Sequence, residues 1–155
     1  MESLNAHMAT QVAEVELIYK SKVKRSMLPT ITCPYDAYAI LADNWDKHKI
    51  DYVEEFKVMM LNRANQVLCI YPLATGGTTS VTVDPKLIFT AALKSGAAVI
   101  IIAHNHPSGQ LVPSAADKQL TAKIVQAGKF LDIPVVDHII VTSEGYYSFS
   151  REGDL

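Results

Sequence analysis

A chain of 155 residues that is 49% hydrophobic and 19% charged can bury about two-thirds of its unfolded surface in one core without disulfides or a structural metal. Its net charge of −2 argues against a dedicated nucleic-acid binder, which carries a basic excess gathered on one face. The two cysteines, Cys33 and Cys69, sit in neither a metal nor a redox spacing, and no signal peptide or membrane-spanning run is read, so a reduced, cytoplasmic setting is expected.

Residues 1–11 show no fold-forming apolar pattern and are set aside as a disordered or added N-terminus, with 12–155 read as a single domain. A strand is expected over 12–19. The basic group Lys20, Lys22, Lys24 and Arg25 follows, reading first as a solvated strand end and second as a phosphate contact. A helix starts at Pro34, a residue suited to the first turn, and runs through Trp45. Glu54 and Glu55 open an apolar stretch that breaks at Asn62-Arg63-Ala64-Asn65 and resumes over 66–71, which is the pattern of a hairpin. Alternation places Glu54 on the side of Phe56, Val58 and Met60, and Glu55 beside Lys57. Lys57 is most easily placed toward solvent, which predicts an exposed Glu55 and an inward Glu54 whose pKa is raised by desolvation. Gly76-Gly77 breaks the chain, a short strand is expected over 81–83, and Asp84-Pro85 begins a helix that Gly96 stops.

The β-branched run 97–102 reads as a strand buried on both faces. His104 and His106 follow where it ends. Two apart on an extended backbone, their rings share a side, and Asn105 takes the other. After a Pro/Gly loop, Ser114 is the expected N-cap of a helix with Asp117 at its third position and Leu120, Ile124, Ala127 and Leu131 on its apolar repeat. A final hairpin joins 135–142 to 146–149 across Ser143-Glu144-Gly145. Asp137 and His138 point opposite ways there, and either could brace a metal-bound imidazole. Tyr146 and Tyr147 read as packing residues. Because strands and helices mix without strict alternation, the fold class is α/β of the α+β type, a mixed sheet flanked by helices.

His104, His106 and Asp117 together supply three ligands and leave a position open, the pattern of catalytic zinc; structural zinc is closed by four. Ser114-x-x-Asp117 taken alone is a capping arrangement, but a capping hydroxyl that accepts a backbone N–H keeps its own proton to donate. A metal-dependent hydrolase also needs a base, and the inward Glu54 is the candidate.

Glu54, then His104-x-His106, seven residues, Ser114, two residues and Asp117 resemble the JAMM (MPN-plus, or JAB) metalloprotease signature. Glu-Glu-Phe-Lys-Val-Met-Met-Leu-Asn, Asp84-Pro85-Lys86-Leu87-Ile88-Phe89, His-Asn-His-Pro-Ser-Gly, Pro-Ser-Ala-Ala-Asp and Asp137-His138-Ile139-Ile140 resemble the bacterial RadC-like branch, over roughly positions 30 to 150. The resemblance implies a JAB/MPN, cytidine-deaminase-like three-layer fold, one zinc ion on His104, His106 and Asp117, Glu54 acting through water, and Ser114 supporting an oxyanion. The function it implies is zinc-dependent hydrolysis of peptide or isopeptide bonds in a peptide or protein substrate. The alternative is a RadC-type DNA-repair accessory role with a structural or vestigial metal. Longer RadC-like proteins carry a helix-hairpin-helix region ahead of this domain, and none is read here. The interval from Glu54 to His104 is filled by a hairpin, a helix and a strand, leaving no visible apparatus for ubiquitin. Nucleic-acid contact is expected to be weak, and no membrane contact is expected.

Overall fold

A computed structural model describes residues 13–16 and 18–155. The proposed N-terminal segment 1–11 lies outside the described residues, as do Val12 and Leu17 of the first expected strand. The rest of that strand, 13–16 and 18–19, forms no regular secondary structure and has no sheet partner. The same is true of 81–83, where Val81 and Val83 pack half-buried against the core without pairing. Val15 and Ile18 of the first segment are exposed.

The sheet has five strands in the order β2-β1-β3-β4-β5, formed by β1 (Glu55–Leu61), β2 (Val67–Thr75), β3 (Val99–Asn105), β4 (Val135–Val141) and β5 (Tyr146–Ser148). All neighbours are antiparallel except β3 and β4. That parallel pair requires a crossover, and helix α3 (Ala115–Phe130) supplies it. Helix α1 (Pro34–Asp43) covers one face of the sheet, while α2 (Pro85–Ser95) and α3 cover the other. The mixed sheet between helical layers is the architecture expected from the sequence. A short α4 (Phe149–Glu152), capped by the Ser148 hydroxyl, ends the last hairpin where a strand residue was expected.

Strand alternation sorts the core. Met59, Leu61, Ile101, Ala103, Ile139 and Val141 pack under α1 with Leu41 and Trp45. Phe56, Val58, Met60, Ile100 and Ile102 pack under α2 and α3 with Ile88, Phe89 and Ile124. Each fully buried aliphatic side chain contributes about 1.5–3 kcal/mol. Both ends of α2 behave as the sequence predicts: Asp84 accepts from the Lys86 N–H ahead of Pro85, and Gly96 takes the left-handed conformation (φ 66°) that ends the helix. Ser114 caps α3.

The β3 register has a consequence for the site. His104 continues the face of Ile100 and Ile102 toward α3, and Asn105 continues the face of Ile101 and Ala103 toward the α1 layer. Both lie inside the strand, which ends at Asn105 and not at 102 as expected from the sequence.

Candidate active site

Four elements converge at the C-terminal end of β3. His104 comes from the strand, His106 from the residue just beyond it, Asp117 from the first turn of α3, and Glu54 from the residue preceding β1, which pairs with β3. Ligand atoms of His104, His106 and Asp117 lie within 4.8 Å of one another. The two Nε2 atoms are 3.0 Å apart; Asp117 places Oδ1 3.3 Å from His104 Nε2 and Oδ2 3.6 Å from His106 Nε2.

Local structure aims these groups. Asp117 Oδ2 accepts from the Ser114 N–H at 2.6 Å while Ser114 Oγ accepts from the Asp117 N–H at 3.1 Å, a reciprocal capping box that pins the carboxylate at the helix start. Burial pushes the Asp117 pKa up, but the adjacent His104 and His106 rings and the Ser114 N–H overcome this and hold it far below the usual carboxylate range. His106 Nδ1 lies 2.7 Å from the Gln110 carbonyl, which can only accept, so Nδ1 carries the proton and a neutral ring presents a bare Nε2. The nearby Asp117 carboxylate raises the His106 pKa, against the effect of burial. The anionic carboxylate thus draws positive charge to the point where the nitrogens meet. A divalent cation meets that demand, so the donor set fits a metal ion: two imidazoles and one carboxylate, with the open side facing a groove.

That groove encloses about 360 Å³ and is lined by Glu54, His106, Ser114 and Asp117, with Val81, Val112 and Leu120 among its apolar walls. Burial raises the Glu54 pKa; the nearby histidines oppose the shift, and Asp117 adds to it. Glu54 therefore shares the face of Phe56 and Val58, as alternation predicts. The partner assignment needs correction: Glu55 and Lys57 are 8% and 7% exposed, not solvent-facing. The α1 layer roofs them. Lys57 Nζ donates to the Asn44 carbonyl at 3.0 Å, sits 4.3 Å above the Trp45 ring and lies 3.9 Å from Glu55 Oε2. A strand covered on both faces can hold a lysine inward once it has an aromatic face, a carbonyl and a carboxylate.

Asp137 and His138 separate as their alternation requires. Asp137 accepts from Ser148 Oγ and from the backbone N–H groups of His138 and Ser150, tying β4 to the last hairpin; burial still leaves its pKa raised. His138 is the one that reaches the site, with Nε2 2.8 Å from His104 Nδ1. Tyr146 stacks on Tyr38, and Tyr147 donates to Asp154, so both stay outside the groove.

Two contributors escaped the sequence reading. Asn105 faces away from the ligands and holds one segment by three bonds: its Oδ1 accepts from the Glu55 N–H at 2.7 Å, and its Nδ2 donates to the Ile50 and Val53 carbonyls at 2.7 and 2.8 Å. It thereby fixes the chain on both sides of Glu54. Asn105→Ala strips three hydrogen bonds and is expected to cost about 3 kcal/mol, read as a lower urea midpoint, with metal content retained. The other is Thr121, four residues after Asp117 and so on the same helical face, a spacing that could have marked it.

Residues 31–154 match the model of the RadC-like JAB domain. The chain belongs to the RadC-like JAB domain family. It is 49% identical over 100 residues to a UPF0758 protein of Flavobacterium johnsoniae, covering 64% of this chain and 44% of that protein. It is 42% identical over 114 residues to the UPF0758 protein YfjY of Escherichia coli, covering 72% of this chain and 71% of the relative. A UPF0758 protein of Rubrobacter xylanophilus is 35% identical over 148 residues, 93% of this chain and 62% of its own length. The chain thus spans between about two-fifths and seven-tenths of these RadC-like relatives. Among the described residues no helix is long and apolar enough to cross a membrane, and Cys33 and Cys69 are free thiols.

Proposed function

We propose that this RadC-like JAB domain is a zinc-dependent hydrolase of peptide or isopeptide bonds. The observation that carries the reading is the placement of Glu54, a carboxylate with a raised pKa, in the groove lined by His106 and Asp117, beside the donor set they form with His104. Zinc held there supplies Lewis acidity, which acidifies water and polarises a carbonyl. Glu54 takes the proton from the attacking water as the new C–O bond forms, and returns it to the amine nitrogen as the C–N bond breaks. Ser114, whose Oγ accepts the Asp117 N–H, keeps its hydroxyl proton to donate to the carbonyl oxygen as negative charge develops. Val81, Val112 and Leu120 offer apolar surface to side chains flanking the scissile bond. The test combines zinc analysis of the purified chain with cleavage of an unbiased peptide library, with and without chelator. Chelator-sensitive cleavage is expected; a zinc-loaded chain inert toward all amides would sink the hydrolase reading.

The DNA-accessory reading makes a different forecast, because Lys20, Lys22, Lys24 and Arg25 are all exposed. Non-specific contact by four such residues gives a Kd of about 10⁻⁴–10⁻⁶ M or weaker at physiological salt, tightening as salt is lowered. Replacing all four with Gln is expected to flatten that salt dependence and leave zinc content unchanged. Tight, structure-selective DNA binding that survives the replacement would put the accessory role first.

A further inference from the structure

We infer that Thr121 and His138 form a relay that sets which nitrogen of His104 carries the proton, and thereby holds the metal-facing nitrogen open. The inference rests on the proposed metal site and adds two positioning residues to it. Thr121 Oγ1 lies 2.6 Å from the Asp117 carbonyl and 2.6 Å from His138 Nδ1. His138 Nε2 lies 2.8 Å from His104 Nδ1, and His104 Nε2 faces His106 and Asp117. The His138 ring stacks on Phe149 at 4.4 Å between centroids, with Phe56 tilted against it at 6.0 Å, so packing restrains its orientation.

The hydroxyl has one proton and the chain has two settings. In the first, Thr121 donates to the Asp117 carbonyl, so the shared contact must be His138 Nδ1–H donating to Oγ1. His138 is fully buried between Phe149 and Phe56, where a charged ring would be costly, so the ring is neutral and its Nε2 is bare. That nitrogen accepts from His104 Nδ1–H, which leaves the neutral His104 ring with a free Nε2 lone pair. In the second setting every proton shifts one place. Thr121 donates to His138 Nδ1, His138 Nε2–H donates to His104 Nδ1, and His104 Nε2–H points at His106 and Asp117, closing the nitrogen to a metal. No net proton is gained or lost between the two.

The Asp117 carbonyl is what favours the first setting, because it gives the hydroxyl proton an acceptor within the helix. The same carboxylate residue that supplies a ligand side chain thus supplies, through its backbone, the anchor for the histidine behind the neighbouring ligand. Without the hydroxyl, the first setting leaves a buried His138 N–H with no acceptor, and the second becomes the cheaper one.

Thr121→Val keeps the shape and removes the hydroxyl; Thr121→Ser restores it. Zinc affinity of the full chain, measured by competition with a chromophoric chelator, is expected to fall about tenfold or more in the valine variant and to return to within about threefold of wild type in the serine variant. Nitrogen-15 imidazole shifts supply a second readout. In zinc-loaded wild type both His104 and His138 are expected as Nδ1–H tautomers. Uptake by wild type tests the metal site itself, and the difference between variants tests the relay. Equal zinc affinity in wild type and the valine variant would overturn the relay, as would an Nε2–H tautomer of His138 in the zinc-loaded protein. The tautomer measurement needs no variant, so it decides the matter even if the valine variant does not fold. Wild type that takes up no zinc overturns the site and the relay together.

Discussion

Glu54→Gln is expected to lower amide hydrolysis by roughly a hundredfold or more while zinc affinity stays within about tenfold of wild type. Glutamine keeps the shape and the contacts of the side chain but cannot take a proton from water. The substitution also carries a stability signature. Burial raises the pKa of Glu54 in the folded chain, so the folded state binds its proton more tightly than the unfolded state does. This group's contribution to stability therefore falls as pH rises from the unfolded carboxyl range through the raised folded value. Glutamine has no such dependence. At neutral pH Glu54→Gln is expected to be at least as stable as wild type, and its advantage should vanish in acid. Thermal unfolding followed at several pH values, beside cleavage assays, measures both effects. A variant that is inactive because it is less stable at neutral pH would count against the base assignment.

Glu55→Gln is the control, and the structure changes what it controls for. Glu55 lies under the α1 layer near Lys57, whose pKa is lowered by burial and supported by the Glu55 charge. Neutralising Glu55 removes that support from a buried cation, so the variant is expected to lose stability and keep its turnover per folded molecule. If Glu55→Gln abolished hydrolysis and Glu54→Gln did not, the base would be Glu55.

Much of the site was legible because it depends on local periodicity. The two-residue spacing of His104 and His106 on an extended chain, the Ser114–Asp117 capping box and the alternation that turns Glu54 inward are all decided within a few residues. The inward Lys57 was not legible, because it depends on Trp45 and Asn44 from another element closing over the strand. Residues 12–19 and 81–83 show the converse. Their β-branched content favours extension, but a strand also needs a neighbour with free backbone groups, and wherever these residues are described they join no sheet. The choice between Asp137 and His138 was open for the same reason: alternation says that they differ, and only β3 and α3 in place say which one meets His104. Asn105 was placed on the correct side, yet its three partners lie between 50 and 55 residues away along the chain, beyond any local pattern.

His104→Ala and His106→Ala are each expected to abolish stoichiometric zinc binding, since two remaining ligands cannot hold the ion against water and buffer. Their effects on the fold should differ. His104 is 1% exposed and its ring bridges His138 to the groove, so alanine leaves a cavity and an unpartnered His138 nitrogen, at a cost of about 2–4 kcal/mol. His106 is partly exposed beyond the end of β3, and its loss gives up mainly the contact to the Gln110 carbonyl, about 1 kcal/mol. Chelation of the wild type should leave cooperative unfolding intact, because the two apolar layers on either side of the sheet are complete without the ligands. Metal analysis of the purified variants and urea unfolding with and without chelator measure these effects. Full zinc retention by both single variants would move the metal centre away from the end of β3; loss of zinc with equal destabilisation in both would instead show that the His104 contact to His138 carries little of the fold.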